Sequence, residues 1–422
     1  MKGYEVLALA LKECADHIYA VPGFPVTELV QEAGGMMVTS EKVAVEYALG
    51  HSLLGKRTAV IMKNVGLNTS ADPLIHATTQ GLMGGVIVVT GDDHEASGST
   101  NTEDSRYYGE LGQLPVLEPG AETSARVIEA AFIASERFSR ISLVRVTPEV
   151  LFSESIGKPA KRSPGSGRLA PPDLTMKGRA ELADSLVPGM FLWANTSDLN
   201  RMRGGVAGVG PLPGDSRIVT VYPPPEGIRD CSAIHEIGRP FVKEHRELSP
   251  PFPAAEPETV KRRGFVKTFC GGCPFIPVME ILMEKGLRVI ADAGCSILAL
   301  NPPYRVALAS YGLGSAVGIA ARSTRVALIG DYALLHSGIP SLIDVYEKQI
   351  PLLCIVLDNR CMGMTGGQKT PDPGRYLAWA DPVRVRPDPD ELRRLFAMPD
   401  RPKTIIVEGI CPEGRYHEIM EC

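Results

Sequence analysis

Along this chain of 422 residues, continuous apolar runs alternate with amphipathic stretches, and polar residues mark where the runs stop. The clearest passage runs from Val326 to Gln368. An apolar run, Val326 to Ile329, stops at Gly330-Asp331. A helix-like segment, SGIPSLIDVYEKQ, follows. A second run, Pro351 to Leu357, stops at Asp358-Asn359. This is strand, helix, strand. In a right-handed crossover the two strands lie parallel and their carboxyl ends open on one edge. Asp331 and Asn359, 28 positions apart, are therefore expected on the same edge, offering oxygens to one hard cation. Magnesium takes few protein ligands and completes its octahedron with water and phosphate oxygens, so one carboxylate and one amide oxygen suit it.

The same alternation opens the chain. A helix over 4–16 leads to a strand, Ile18 to Val21. The turn Pro22-Gly23-Phe24-Pro25 then opens the helix TELVQEA. A strand near Met36 to Thr39, a helix from Glu41, the strand TAVIMK, a helix after Pro73 and a strand in GGVIVVTGDD follow. Such alternation implies a parallel sheet. Residues 154–175 are rich in Pro, Gly, Ser and Lys and read as a linker. Beyond them a small unit is expected, with MFLWAN a strand, DLNRMRGG a short helix and SRIVTVYP a strand, closed by the Pro-rich stretch LSPPFPAAEPE. From Val260, Cys270 and Cys273 precede a helix. VIADAGCS is a strand ending at Cys295, YGLGSAVGIAAR a Gly/Ala-rich helix, and TIIVEGICPEG a final strand running into Cys411. The fold class is α/β, with two doubly wound parallel-sheet domains, 1–153 and 259–422. A linker, 154–180, and a reduced α/β middle region, 181–258, join them.

Composition adds exclusions. With 44% hydrophobic and 22% charged residues and a net charge of −5, nothing points to nucleic acid. No run of 18 apolar residues exists, so no membrane span is expected. The N-terminal segment reads as an amphipathic helix, not a signal peptide, and a cytoplasmic location follows. Nine cysteines, an odd number in a large chain, suit reduced thiols or a metal cluster better than a disulfide scaffold. The 35 prolines concentrate in the middle of the chain and suggest linkers and irregular loops there.

Candidate chemistry then narrows. Glu41 enters a helix directly after a strand, where a first-turn carboxylate favours the helix dipole. Arg106 sits in the loop HEASGSTNTEDSRYY, where it is a candidate for a bidentate grip on a substrate carboxylate or a plain surface residue. His94, in the same loop, reads as structural or exposed. A Cys-x-x-Cys pair by itself is a redox pair, half a zinc site or two incidental thiols. Cys270, Cys273, Cys295 and Cys411 all fall at loops or strand ends of one domain, and four thiolates ligate either a [4Fe–4S] cluster or a structural zinc. Cys422 is a weaker fourth ligand. Cys14, Cys231, Cys354 and the thiol of Cys361 read as packing residues or single thiols.

Gly330-Asp331…Asn359 resembles the thiamine diphosphate signature. By that resemblance Asp331, Asn359 and the backbone carbonyl of Cys361 hold magnesium. Gly294, Gly330, Tyr332, Gly363, Met364 and Thr365 complete the cofactor-binding positions. Where the signature has a third-position Gly, this chain has Tyr332. The segments VPGFPVTEL, SEKVAVE, MKNVGLNTSADPL, NTEDSRYYGELGQLPVLEP and the Thr365-Gly366-Gly367-Gln368 loop are similar to the alpha subunit of indolepyruvate ferredoxin oxidoreductase. That family comprises thiamine-dependent 2-oxoacid:ferredoxin oxidoreductases. The similarity spans roughly the first 150 and the last 150 residues.

The resemblance implies a pyrimidine-binding domain at the N-terminus and a diphosphate-binding domain at the C-terminus. Glu41, with Gly50 following in its helix, is implied as the carboxylate that bonds the pyrimidine nitrogen N1′, with Glu46 as runner-up. Phe24 and Arg106 are implied at the substrate. Where the family has Tyr-Pro-Gly-Thr-Pro, this chain has Val21-Pro22-Gly23-Phe24-Pro25, so a ring replaces a hydroxyl. Cys270, Cys273, Cys295 and Cys411 are implied as ligands of a proximal [4Fe–4S] cluster, which takes electrons one at a time as zinc does not. The family's C-terminal ferredoxin-like domain has no counterpart before Cys422. A separate small catalytic subunit and a ferredoxin-like acceptor are therefore expected, in a homodimer or heterotetramer, acting on a 2-oxoacid with coenzyme A as candidate acyl acceptor. Two other readings stay open: a non-oxidative thiamine-dependent decarboxylase and a non-catalytic assembly subunit.

Overall fold

The computed structural model describes residues 1–93, 98–99, 103–199, 221–222, 256–413 and 417–422. The chain forms two compact units. The first comprises Met1–Ala170 and Met176–Pro257, the second Pro171–Thr175 and Glu258–Cys422.

In the first unit, α1 (Gly3–Cys14), β1 (His17–Ala20), α2 (Thr27–Ala33), β2 (Met36–Met37), α3 (Glu41–Leu53), β3 (Thr58–Lys63), α4 (Asn64–Gln80) and β4 (Val86–Gly91) follow in sequence. They are succeeded by β5 (Val116–Leu117), α5 (Ser124–Phe138) and β6 (Ser142–Val146). The strands lie parallel in the order β2-β1-β3-β4-β6-β5, with residues 221–222 pairing antiparallel beside β5. TAVIM in β3 and all of VIVVTG in β4 are buried, as a central parallel strand covered on both faces requires. Helix α3 buries every residue from Val43 to Gly50, so it lacks the usual polar face. Its N-terminus is capped by the Ser40 hydroxyl, which accepts from the Val43 N–H at 3.4 Å.

In the second unit, β7 (Phe265–Cys270), α6 (Ile276–Glu284), β8 (Val289–Ala291), β9 (Ala307–Ala309), α7 (Ala316–Ala321) and β10 (Val326–Gly330) lead to α8 (Ile339–Glu347) and β11 (Leu353–Asp358). Then come β12 (Val383–Val385), α9 (Pro389–Leu395), β13 (Lys403–Glu408) and β14 (His417–Glu421). Six strands lie parallel in the order β9-β8-β10-β11-β13-β12. The expected crossover is present: β10 pairs with β11 in register from Val326↔Leu353 to Gly330↔Leu357. The core beneath is aliphatic, with Leu328, Ile355, Val407 and Leu282 fully buried.

Both units are thus α/β with parallel sheets, as the sequence pattern implies. Four local expectations need correcting. MFLWAN is helical, inside Val187–Thr196, where Phe138 stacks edge-on against Trp193 at 5.7 Å; its uninterrupted apolar run suits a buried helix as well as a strand. Helix α4 starts at Asn64, well before Pro73, which it carries internally. The strand ahead of Cys295 ends at Ala291, and Cys295 itself begins a 3₁₀ turn, Cys295–Leu300. TIIVEGICPEG does not end the fold, because β14 returns to pair antiparallel with β7. Most of the middle region 181–258, including most of SRIVTVYP, lies outside the described residues, as do His94 and Cys231.

Candidate active site

Open parallel sheets bind ligands where the strand order reverses, outside the carboxyl ends of the strands. In the second unit the reversal falls between β8 and β10, since the chain runs from β8 out to β9 and returns to β10 on the other side. A cavity of about 480 Å³ opens there. Its wall carries Ala293, Gly294 and Cys295 after β8, Gly330, Asp331 and Tyr332 after β10, and Asn359, Cys361 and Gly363 to Thr365 after β11. Every cofactor-binding position expected in this unit lines it.

Local chemistry shapes the three edges. Asp292, fully buried, accepts from the Gly314 N–H at 2.8 Å and the Ala316 N–H at 3.1 Å, tying β8 to the start of α7. Gly314 has φ +78°, and a Cβ there would stand 2.2 Å from Ser337 Oγ, so only glycine fits. Asp331 is 3% exposed. Its Oδ1 accepts from the Tyr332 N–H at 2.7 Å and its Oδ2 from the Thr370 hydroxyl at 2.5 Å. Burial pushes the Asp331 carboxyl up to about 6, against those two donors, and the nearby Asp358 carboxylate adds to the rise. The loop after β11 folds back on itself, with the Met362 N–H on the Gln368 carbonyl at 2.9 Å and the Thr370 N–H on the Arg360 carbonyl at 3.1 Å. That fold delivers Thr370 to Asp331. Thr370 was not legible as a site residue, since nothing in its local pattern reports the hairpin.

A second, smaller cavity is lined by Cys270, Cys273, Cys295, Cys411 and His417, and it shares Phe275, Cys295, Asn359 and Gly363 with the first. The four thiols therefore face one space. Burial pushes the Cys273 thiol up to about 11 and that of Cys295 to about 12. Burial also raises Cys411, and a hydrogen bond from Asn359 Nδ2 at 3.1 Å opposes the rise. Metal binding here has to expel protons. Among the described residues, no group of three or more His, Cys, Asp or Glu side chains has the geometry of a single-ion site. The fit to an iron–sulfur centre rests on donor chemistry and convergence: four soft sulfurs around one space. Two further members went unread in the sequence. His417 Nε2 lies 3.9 Å from Cys295 Sγ, brought there by the long-range pairing of β14. The Cys361 thiol lies within hydrogen-bonding reach of Cys411.

For magnesium, the residues present also fit: a buried carboxylate and an amide line one cavity, and the Asn359 Oδ1 accepts from the Cys361 N–H at a long 3.3 Å.

In the first unit the order reverses between β1 and β3. Glu41, half-buried at the start of α3, lies over Gly66 of α4, where a Cβ would stand 2.5 Å from Glu41 Cγ. Glu46, the alternative, is fully buried within α3 and paired with Lys42. Phe24, at the end of the turn after β1, stacks on Phe152 with centroids 6.3 Å apart. Arg106 is not the plain surface residue that the sequence also allowed. It is 3% exposed, held by Asp104 at 2.7 and 2.8 Å and faced by Glu118 at 3.6 Å. Arg145 shares the same acids and also binds Asp92. The Arg106 guanidinium is thus bonded to carboxylates of its own unit. Cys14 and Cys354 are buried packing residues.

Residues 294–396 match the family "Thiamine pyrophosphate enzyme, C-terminal TPP binding domain". The chain is 26% identical to the indolepyruvate oxidoreductase subunit IorA of Archaeoglobus fulgidus, covering 88% of this chain and 76% of that one. It is 26% identical to the same subunit of Methanothermobacter thermautotrophicus, over 84% and 73%. Among solved structures, it resembles a Mycobacterium smegmatis enzyme described as thiamin diphosphate-dependent (15% identity, 98% of this chain and 100% of that one, TM-score 0.57). It also resembles the thiamine diphosphate-dependent 4-hydroxybenzoylformate decarboxylase of Rhodococcus jostii (14%, 98% and 100%, TM-score 0.58). These structures share the fold. The sequence resemblance to indolepyruvate oxidoreductase alpha subunits holds over most of the chain, and the matching family model and both structures carry thiamine diphosphate in their descriptions. Among the described residues no helix is long and apolar enough to cross a membrane.

Proposed function

We propose that this relative of indolepyruvate oxidoreductase alpha subunits is the thiamine diphosphate-binding subunit of a 2-oxoacid oxidoreductase. In this reading, electrons leave through an iron–sulfur centre to a ferredoxin-like acceptor, and a separate small subunit completes the enzyme. The observation that carries it is the wall shared by the two cavities: Asp331 and Asn359 border a space that four thiols approach from behind.

Asp331, Asn359 and the Cys361 carbonyl would hold magnesium against the diphosphate. Thiamine diphosphate, when bound, supplies a carbon nucleophile for the 2-oxo group and a sink for the electrons left by decarboxylation. The chain's own contribution is positioning. Thr370 and the Tyr332 N–H fix the Asp331 carboxylate. Glu41 is assigned the carboxylate that shares a proton with the pyrimidine nitrogen, and Gly66 leaves it room. The walls contributed by Phe275, Leu313, Leu357 and Met364 are apolar, which lowers the local polarity and strengthens charge interactions beside them. Cys270, Cys273, Cys295 and Cys411 would ligate the cluster. The carboxylate of the 2-oxoacid is left to a group other than Arg106.

Anaerobic purification with iron, sulfide and cofactor analysis tests the proposal. A brown chain carrying iron, sulfide and thiamine diphosphate is expected. A colourless chain that releases carbon dioxide from a 2-oxoacid without an electron acceptor would establish the non-oxidative alternative. A chain that binds no thiamine diphosphate would leave the assembly-subunit reading standing. Within a thiamine-binding chain, Glu41→Gln is expected to suppress exchange of the thiazolium C2 proton while the cofactor still binds. Unchanged exchange removes Glu41 from its role.

A further inference from the structure

The two cavities of the second unit share four wall residues: Phe275, Cys295, Asn359 and Gly363. Of these, only Asn359 carries both a hydrogen-bond donor and an oxygen acceptor on its side chain. The two ends of that amide are used differently. Nδ2 donates to Cys411 Sγ at 3.1 Å, while Oδ1 accepts from the Cys361 N–H at 3.3 Å and keeps a lone pair. Gly363 packs beside this bond: a Cβ there would stand in ordinary contact, 3.4 Å from Asn359 Nδ2 and 3.9 Å from Cys411 Sγ. One planar amide thus reaches a sulfur and belongs to the walls of both cavities.

We infer that Asn359 is a bridging residue: beyond contributing an oxygen to the cation site, its N–H sets the electron affinity of the sulfur centre through Cys411. This rests on the reading given under Proposed function. Reduction of an iron–sulfur centre by one electron adds negative charge that is spread over the sulfur ligands, and a hydrogen bond to a ligating sulfur stabilises the reduced form and raises the potential. The amide orientation is fixed from the other end by the Cys361 N–H, which donates and so needs the oxygen as its partner. A cation drawn to Oδ1 polarises the same amide and strengthens its N–H as a donor. Occupation of the cation site and the potential of the sulfur centre are therefore coupled through one side chain.

The test compares Asn359→Asp and Asn359→Ala in the full-length chain, reconstituted anaerobically with iron and sulfide. EPR-monitored redox titration gives the midpoint potential. Calorimetry gives magnesium-dependent binding of thiamine diphosphate. The Asp variant keeps an oxygen for the cation and loses the N–H, so cofactor binding is retained and the midpoint potential becomes more negative. The Ala variant loses both, so its potential also falls and cofactor binding weakens; it separates loss of the donor from the added charge of Asp. Adding magnesium and thiamine diphosphate raises the wild-type potential and leaves that of the Ala variant where it was. A loaded Ala variant with the wild-type potential overturns the inference alone. A wild-type chain that takes up no iron overturns the reading beneath it.

Discussion

Glu41 rests on Gly66 so closely that a Cβ at position 66 would stand 2.5 Å from Glu41 Cγ and 3.0 Å from its Oε1. The carboxylate from the start of one helix therefore owes its position to a missing side chain on the next. Gly66→Ala is expected to displace Glu41 without removing it, at a cost of about 1–3 kcal/mol from overpacking. Exchange of the thiazolium C2 proton, followed by NMR in deuterated buffer, should slow as it does in Glu41→Gln. An exchange rate equal to wild type would show that the carboxylate's placement is irrelevant to that step.

Asp331 gives a pH dependence of defined sign. Its folded pKa, about 6, lies above the ordinary carboxyl value of 3.8. The folded state then holds the proton more tightly than the unfolded state, so this group's contribution to stability falls as pH rises from about 4 to about 6 and stays unfavourable above. Each tenfold difference in proton affinity is worth about 1.4 kcal/mol, so the rise from 3.8 to about 6 costs about 3 kcal/mol at neutral pH. Asp331→Asn should stabilise the metal-free chain by that amount at pH 7, not at pH 4, and abolish magnesium-dependent cofactor binding. Thermal unfolding at the two pH values, with calorimetry alongside, checks both halves.

Arg106 and Arg145 are shared among Asp92, Asp104 and Glu118 in a buried group. Removing one partner leaves uncompensated buried charge, so Arg106→Ala should destabilise the first unit by about 3–5 kcal/mol. The surviving folded fraction should show an unaltered KM for the 2-oxoacid. A raised KM with unchanged stability would restore Arg106 to the substrate.

Removal of magnesium should release thiamine diphosphate, because the diphosphate then meets the Asp331 carboxylate with no cation between them. Dialysis against a chelator, followed by cofactor analysis and add-back of magnesium, measures this. Retention of the cofactor after chelation would require another anchor for the diphosphate.

Much of this protein is written in its local pattern. Apolar runs ending in Gly330-Asp331 and Asp358-Asn359 place those groups at strand ends, and a crossover puts both ends on one edge, because handedness and strand direction follow from backbone sterics. The four cysteines stand out by position alone. The alternation of elements in both halves gives parallel sheets.

Other features came only from the tertiary structure, because they depend on partners distant in the chain. Arg106 looks the same in sequence whether it faces solvent or Asp104 and Glu118, and burial decided between them. MFLWAN carries no periodicity to separate helix from strand. Thr370 reaches Asp331 through a hairpin, and His417 reaches Cys295 because β14 pairs with β7, from Phe265↔Glu421 to Cys270↔His417. Local spacing reports which backbone a segment prefers. Which side chain meets which, and which end of the Asn359 amide turns toward a sulfur, is settled only when the strands close.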